Sequence, residues 1–257
     1  MLIIDSEKCT ACGICETSCA FGAISVPSEC AVVNESCTLC GACVENCPVG
    51  ALTIDVAERR RTVAIGDYSG IMVFAEYRHG KVAPVSYELL GIGRKLADKR
   101  GVKLSAVLPG GSVSAFAADL VAAGADVVIL AEHPILEQFR EDVYAGVLEQ
   151  VIREQKPEVV LAGATAIGRS VIPYVATAID AGLTADCTRL EIRDEDGMLL
   201  QTRPAFGGNI MATIECPHTR PQMATVRPKV MAPAQPDPNR KGEIISDRKS
   251  TRLNSSH

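Results

Sequence analysis

Eight of the eleven cysteines in this 257-residue chain fall into two runs of one spacing, C-x2-C-x2-C-x3-C: Cys9, Cys12, Cys15 and Cys19, then Cys37, Cys40, Cys43 and Cys47. Aligned on their first cysteines, the runs lie 28 residues apart and agree at 8 of 16 positions, including Gly13 with Gly41. Such agreement marks an internal duplication. Three thiolates on one short loop can each reach a different iron of a cubane only if the backbone curls tightly between them, and Gly13 and Gly41 suit that turn. In the bacterial cluster pattern of this spacing the fourth cysteine serves the other cluster. The expected ligand sets of two [4Fe-4S] clusters are therefore Cys9, Cys12, Cys15 with Cys47, and Cys37, Cys40, Cys43 with Cys19.

Other cysteine chemistry fits less well. Zinc sites take two separated pairs, which leaves the third cysteine of each run without a role. A disulfide framework needs an oxidising compartment. Residues 1–6 offer no basic and apolar leader, and no apolar run approaches the roughly 18 residues of a membrane helix. The expectation is a cytoplasmic protein without an integral membrane segment. Cys30 stands outside both runs and reads as a small buried or half-buried thiol.

The cysteines divide the chain unequally, nine of eleven lying before Ser69. A head of under about 60 residues has little core of its own, so bound clusters must supply much of its stability. The remainder, with 47% hydrophobic residues overall, is long enough for an ordinary domain. A formal charge of -5 argues against general nucleic-acid affinity, and 4% aromatics with no Trp argue against base-stacking platforms.

The elements that must position these groups can be read in order. Residues 2–4 and 52–54 read as terminal strands that pair and close the head. A basic stretch, Arg59-Arg60-Arg61, follows as a solvated linker. From Ile71 the pattern turns to buried strands (71–75, 104–108, 127–131, 159–162) alternating with helices, one of which begins at Pro84 and carries Leu89, Leu90, Gly93, Leu96 and Ala97 on one face. The other helices are expected over 115–123, around Val143, Val147 and Val151, and over 167–181. Such alternation implies a Rossmann-like three-layer α/β domain, a parallel sheet with helices on both faces. After Gly182, residues 190–192 and 199–203 read as a hairpin across Asp194-Glu195-Asp196-Gly197, with 210–214 and 223–226 as further strands of an antiparallel extension.

Few other motifs carry chemistry. Residues 163–170, Gly-Ala-Thr-Ala-Ile-Gly-Arg-Ser, approach the phosphate-loop pattern between a strand and a helix, but Arg169 stands where lysine belongs, and guanidinium does not replace a compact ammonium. Pro109-Gly110-Gly111-Ser112 resembles an adenylating-enzyme loop without its aspartate. No GxGxxG follows the first strand. His79, His133 and His218 are isolated, as are the single thiols Cys187 and Cys216. No catalytic site is expected. The competing reading is a ferredoxin head on a nucleotide-binding and hydrolysing α/β domain that uses residues 163–170.

Residues 1–57 resemble the two-cluster bacterial ferredoxins, departing at Ala20, where the family has the proline seen here at Pro48; the alanine is expected to loosen that turn. Val73-Phe74-Ala75-Glu76, residues 82–90, Ala162-Gly163-Ala164-Thr165, residues 182–187, residues 201–209 and residues 221–228 together resemble the first domain of the electron transfer flavoprotein alpha subunit over 70–231. The resemblance implies an electron carrier rather than an enzyme, packed on a beta subunit, serving a dehydrogenase or reductase such as the acyl-CoA dehydrogenase type. It also implies FAD held by a second alpha domain beyond this sequence. Arg203, Asn209 and Arg227 are candidate contacts to the beta subunit or that domain. The organisation expected is head 1–57, linker 58–69, flavoprotein domain 70–231 and interdomain linker 232–246.

Residues 247–257, Asp-Arg-Lys-Ser-Thr-Arg-Leu-Asn-Ser-Ser-His, are codon for codon the translation of a common sequencing-adapter oligonucleotide. The tail is expected to be an artefact, extended and unpacked, with 232–246 largely so as well.

Overall fold

The computed structural model describes residues 2–54, 65–205, 208 and 210–246. Two compact units divide the chain, Met1–Arg61 and Thr62–His257.

In the first unit, β1 (Leu2–Ile4) pairs antiparallel with β4 (Leu52–Ile54), so the ends of the head close on each other. Between them lie the short helix α1 (Ile14–Thr17), the two-residue strands β2 (Ile24–Ser25) and β3 (Val32–Val33), and a second short helix, α2 (Ala42–Glu45). Each helix starts from a left-handed glycine, Gly13 at φ 76° and Gly41 at φ 87°, a conformation open to a residue without Cβ. The core is small: Leu2, Ile24, Ala31 and Leu52, with Cys15 and Cys43 themselves packed among them.

The second unit begins with β5 (Ile71–Phe74), buried along its whole length, then a small hairpin of β6 (Tyr77–Arg78) and β7 (Lys81–Val82). Next come α3 (Pro84–Arg100), β8 (Leu104–Gly110), α4 (Ala117–Ala122), β9 (Val127–Glu132), α5 (Glu141–Gln155), β10 (Val159–Gly163) and α6 (Ala166–Ala178). The boundaries have local causes. Pro84 occupies the first turn of α3, and Gly101 at φ 66° closes its C-terminus. The Thr165 hydroxyl caps α6 by accepting from Gly168 N–H at 3.1 Å. That helix stops at Ala178, three residues before the expected 181, because Asp180 turns left-handed at φ 55°.

After α6 the chain forms β11 (Gly182–Cys187), β12 (Arg189–Ile192), β13 (Leu199–Ala205), β14 (Ile210–Ile214), β15 (Gln222–Val226) and β16 (Glu243–Ser246). Seven strands build one sheet in the order β11-β15-β10-β5-β8-β9-β16, and every neighbouring pair is parallel. Successive residues feed opposite faces: Ile71 and Val73 join the core under α3 and α4, while Met72 and Phe74 join the core under α5 and α6. The unit is therefore a Rossmann-like α/β layer structure, and β12-β13-β14 forms a separate antiparallel sheet.

Two expectations are corrected. Residues 223–226 belong to the parallel sheet, between β11 and β10, because all five residues of β15 are buried and pair in parallel on both sides. The antiparallel extension is limited to β12, β13 and β14. The stretch 232–246 does not run free either. Ala234 N–H donates to Tyr87 carbonyl at 3.0 Å, Asp237 N–H to Ala122 carbonyl at 2.8 Å, and β16 completes the sheet beside β9. At Gly91 a Cβ would lie 2.5 Å from Ala232 carbonyl oxygen, so the strap crosses α3 in close backbone contact. Asp126 fastens it, accepting from Arg240 at 2.6 Å, Arg94 at 2.6 Å and Leu104 N–H at 2.8 Å. The tail 247–257, and 58–64 of the expected linker, lie outside the described residues.

Burial raises the Asp126 carboxyl, but the Leu104 N–H and the two guanidinium groups outweigh it and hold the group below its ordinary 3.8. A depressed carboxylate contributes stability that is present above its unfolded value and lost as pH falls through the folded one. The strap should thus hold at neutral pH and loosen below about pH 4. Replacing Asp126→Asn should destabilise the second unit by about 1–2 kcal/mol, allowing for its partial exposure. Hydrogen exchange should show faster amides in β16 and the strap with β5 and β10 unchanged. Unaltered exchange in β16 would mean that Asp126 does not fasten it.

Candidate iron-sulfur sites

The eight run cysteines gather into two hollows, and the grouping crosses the runs. One hollow, with about 360 Å³ of empty space partly open to solvent, is lined by Cys37, Cys40, Cys43 and Cys19 together with Phe21, Leu39 and Ile54. The other, of about 310 Å³, is lined by Cys9, Cys12, Cys15 and Cys47 with Thr10, Ala11, Pro48 and Val49. Among the described residues no three of His, Cys, Asp or Glu are grouped to hold a single metal ion. The donor set is thus four thiols spread around a volume, the arrangement that suits a cubane.

Local backbone structure sets each thiol. Cys15 and Cys43, first-turn residues of α1 and α2, are buried, and burial raises both thiols. Cys12 and Cys40, in the preceding loops, are exposed. The fourth cysteines sit in repeated turns. Gly22 N–H donates to Cys19 carbonyl and Gly50 N–H to Cys47 carbonyl, both at 3.2 Å, while Ala23 and Ala51 N–H donate to the respective Sγ atoms, both at 3.3 Å. The turn at Ala20 therefore closes as tightly as the one at Pro48, contrary to the loosening expected, because hydrogen bonds to the cysteine and not the proline ring define it. Those N–H groups lower the Cys19 thiol; at Cys47 burial raises it and the backbone N–H groups of Val49, Ala51 and Leu52 more than offset that. Donors aimed at sulfur are one of the levers by which a protein tunes a cluster. Cys30 lines neither hollow.

The remaining candidates are spread over the second unit. Arg203 lies half-buried on β13, opposite Ala212 of β14. Arg227 follows β15, 3.9 Å from Asp186. Asn209 lies outside the described residues. Cys187 is fully buried, with its thiol pushed up to about 12 by burial, and burial also raises Cys216. His79 and His218 are exposed, and His133 caps a short turn by accepting from Ile135 N–H.

The phosphate-loop reading meets specific obstacles. Arg169 is engaged by Asp186 through two hydrogen bonds of 3.1 Å. Beneath the loop, buried Glu76 accepts from the Thr165 hydroxyl at 2.7 Å, so a carboxyl already occupies the helix N-terminus where phosphate would lie. A Cβ at Gly168 would overlap the Gly163 carbonyl oxygen. The glycines serve close packing.

Comparison with known proteins accords with this geometry. Residues 71–248 match the model of the electron transfer flavoprotein domain. The chain belongs to the electron transfer flavoprotein family. Residues 31–53 and 2–24 of this family member each match a 4Fe-4S binding domain. The electron transfer flavoprotein subunit alpha of Thermoanaerobacterium thermosaccharolyticum is 52% identical over 181 residues, 70% of this chain and 54% of that protein. Protein FixB of Rhizobium meliloti is 50% identical over 183 residues, covering 70% and 52%. The acryloyl-CoA reductase electron transfer subunit beta of Anaerotignum propionicum is 46% identical over 193 residues, covering 66% and 53%. The chain spans about half the length of the curated relatives it matches. Among its described residues no helix is long and apolar enough to cross a membrane.

Sequence reasoning passed over Phe21 and Leu39 at the rim of the first hollow. Their signal was a departure from the repeat: Val49 and Ala11 hold the equivalent places. It also passed over Glu76. For Gly168→Ala, overlap with the Gly163 carbonyl should cost roughly 1–3 kcal/mol in denaturant unfolding of the second unit. Wild-type stability in that variant would show that the loop has slack the geometry denies.

Proposed function

We propose that this chain is the iron-sulfur-bearing alpha-type subunit of an electron transfer flavoprotein and carries electrons between a dehydrogenase or reductase and a second redox partner. The observation that carries the reading is the gathering of three cysteines of each run with the fourth of the other around one hollow. Bound there, clusters supply one-electron chemistry, which complements a flavin that takes two electrons and releases them singly. Cys9, Cys12, Cys15 and Cys47 hold one cluster, and Cys37, Cys40, Cys43 and Cys19 the other. Gly13 and Gly41 let the loops curl, and Ala23 and Ala51 N–H groups hold the fourth sulfurs in place. Thiols free to ligate iron fit a reducing, cytoplasmic compartment.

FAD is held by sequence outside residues 1–246, which present no dinucleotide fingerprint. The family's beta subunit is the proposed partner. It meets the antiparallel sheet, where Ile210 and Met211 on the unpaired edge of β14 are 55% and 54% exposed, with Arg203, Asn209 and Arg227 as polar contacts. The name of the acryloyl-CoA reductase relative makes an acyl-CoA dehydrogenase or reductase the class of enzyme to try first.

The anaerobically purified chain should contain about eight iron and eight sulfide, as two cubanes require. Zinc in place of iron would sink the cluster reading. Cys47→Ala should remove the same electron paramagnetic resonance signal as Cys9→Ala, and Cys37→Ala the other one; loss of Cys37's signal in Cys47→Ala would refute crossed ligation. Stoichiometric FAD on residues 1–246 would refute the assignment of the flavin elsewhere.

A further inference from the structure

The two hollows are related by the 28-residue repeat, but their rims are not alike. Around Cys37, Cys40, Cys43 and Cys19 stand Phe21, 54% exposed, and Leu39, 36% exposed. The equivalent places at the other hollow hold the shorter Val49, 39% exposed, and Ala11. Leu39 adopts φ 56° and Ala11 φ 51°. A left-handed backbone is unfavourable for a bulky residue, yet Leu39 keeps about a third of its surface exposed at the rim. The first unit, residues 1–61, is net acidic by sequence: Asp5, Glu7, Glu16, Glu29, Glu35, Glu45, Asp55 and Glu58 stand against Lys8, which Asp5 pairs at 2.8 Å, and Arg59, Arg60 and Arg61. Thiolate-held clusters add further negative charge.

We infer that the rim formed by Phe21 and Leu39 is the docking face of the head, and that it receives a redox protein presenting an apolar centre ringed by lysine and arginine. The carboxylates attract and orient such a partner over the Debye length, about 30 Å at 0.01 M salt and about 8 Å at 0.15 M. Once it is seated, Phe21 and Leu39 exclude water beside exposed Cys40, as buried anchors do at interfaces. The inference rests on the proposed cluster sites, and the duplication supplies an internal control, because Val49 occupies the same place at the other hollow.

The test measures binding rather than turnover. Oxidised lysine-rich c-type cytochrome is titrated calorimetrically into the oxidised, anaerobically purified chain, so that no electron moves. Binding should weaken at least about tenfold between 0.01 and 0.15 M salt. Phe21→Ala and Leu39→Asn, the latter keeping a residue that tolerates the left-handed backbone, should each weaken it about fivefold or more, and Val49→Ala less than about twofold. Iron and sulfide are assayed in every variant, so that if one loses its clusters the other decides. Equal effects at Phe21 and Val49, no effect at Phe21 and Leu39, or equally tight binding of an acidic flavodoxin would overturn the inference. So would self-association of the chain that Phe21→Ala abolishes while cytochrome binding is unchanged, which would assign the rim to a second copy. Iron and sulfide missing from the parent chain would instead overturn the cluster reading.

Discussion

In the head, Cys15 and Cys43 serve at once as core residues and as members of the two four-cysteine hollows, and the small fold depends on that double use. A domain of this size buries too little apolar surface to be secure without a metal or cross-link. Each buried thiol is the first-turn residue of a short helix started by a left-handed glycine. Around it the repeated turns at Cys19 and Cys47 direct backbone N–H groups at sulfur. The closing pair β1 and β4 then brings the fourth cysteine of one run beside the loop of the other. Packing and ligation thus require the same backbone, so anything that empties a hollow also removes core contacts.

The second unit obeys a different constraint. Its sheet is covered on both faces, so strands such as β5 and β15 are apolar throughout and fix layer and order. A sheet of this order changes direction between β5 and β10, and at the carboxyl ends of such strands many α/β proteins bind nucleotides. Here Glu76, just beyond β5, lies under the N-terminus of α6, with burial raising its carboxyl and the Thr165 hydroxyl held against it. Arg169 turns away to Asp186. The fold supplies its own acidic group at a position where others take phosphate, which explains a phosphate-loop-like sequence without phosphate chemistry.

Much of this was legible in the sequence because it rests on local pattern. Cysteine spacing identified the two groups, and apolar runs of alternating type marked β5, β8, β9 and β10. The failures share a cause: strand partners are decided at a distance. The segment 223–226 follows an antiparallel sheet and local pattern places it there, yet the burial of all five β15 residues requires a place inside the large sheet. The composition of 232–246, rich in proline and charge, suggests a linker. What holds it is the pairing of β16 with β9, backbone hydrogen bonds to Tyr87 and Ala122, and one carboxylate, Asp126, that meets Arg94 of α3 and Arg240 of the strap, and no local pattern records those meetings. Phe21 and Leu39 are hidden for the opposite reason: they are departures from a repeat, and a repeat is defined by its agreements.

The docked strap also bears on how an electron carrier of this family can be arranged. A flexible linker beginning at residue 232 would let whatever follows it sample a wide volume, since the reach of a coil grows with the square root of its length. With the strap crossing α3 at Gly91, tied at Asp126 and ending as β16 in parallel register with β9, the chain is fixed in position and direction as far as Ser246. Electron transfer needs partners brought close and released, so freedom of motion must reside somewhere. The structure leaves none in 232–246: moving that stretch away from the second unit first requires breaking the contacts of Asp126 and the four-residue pairing of β16.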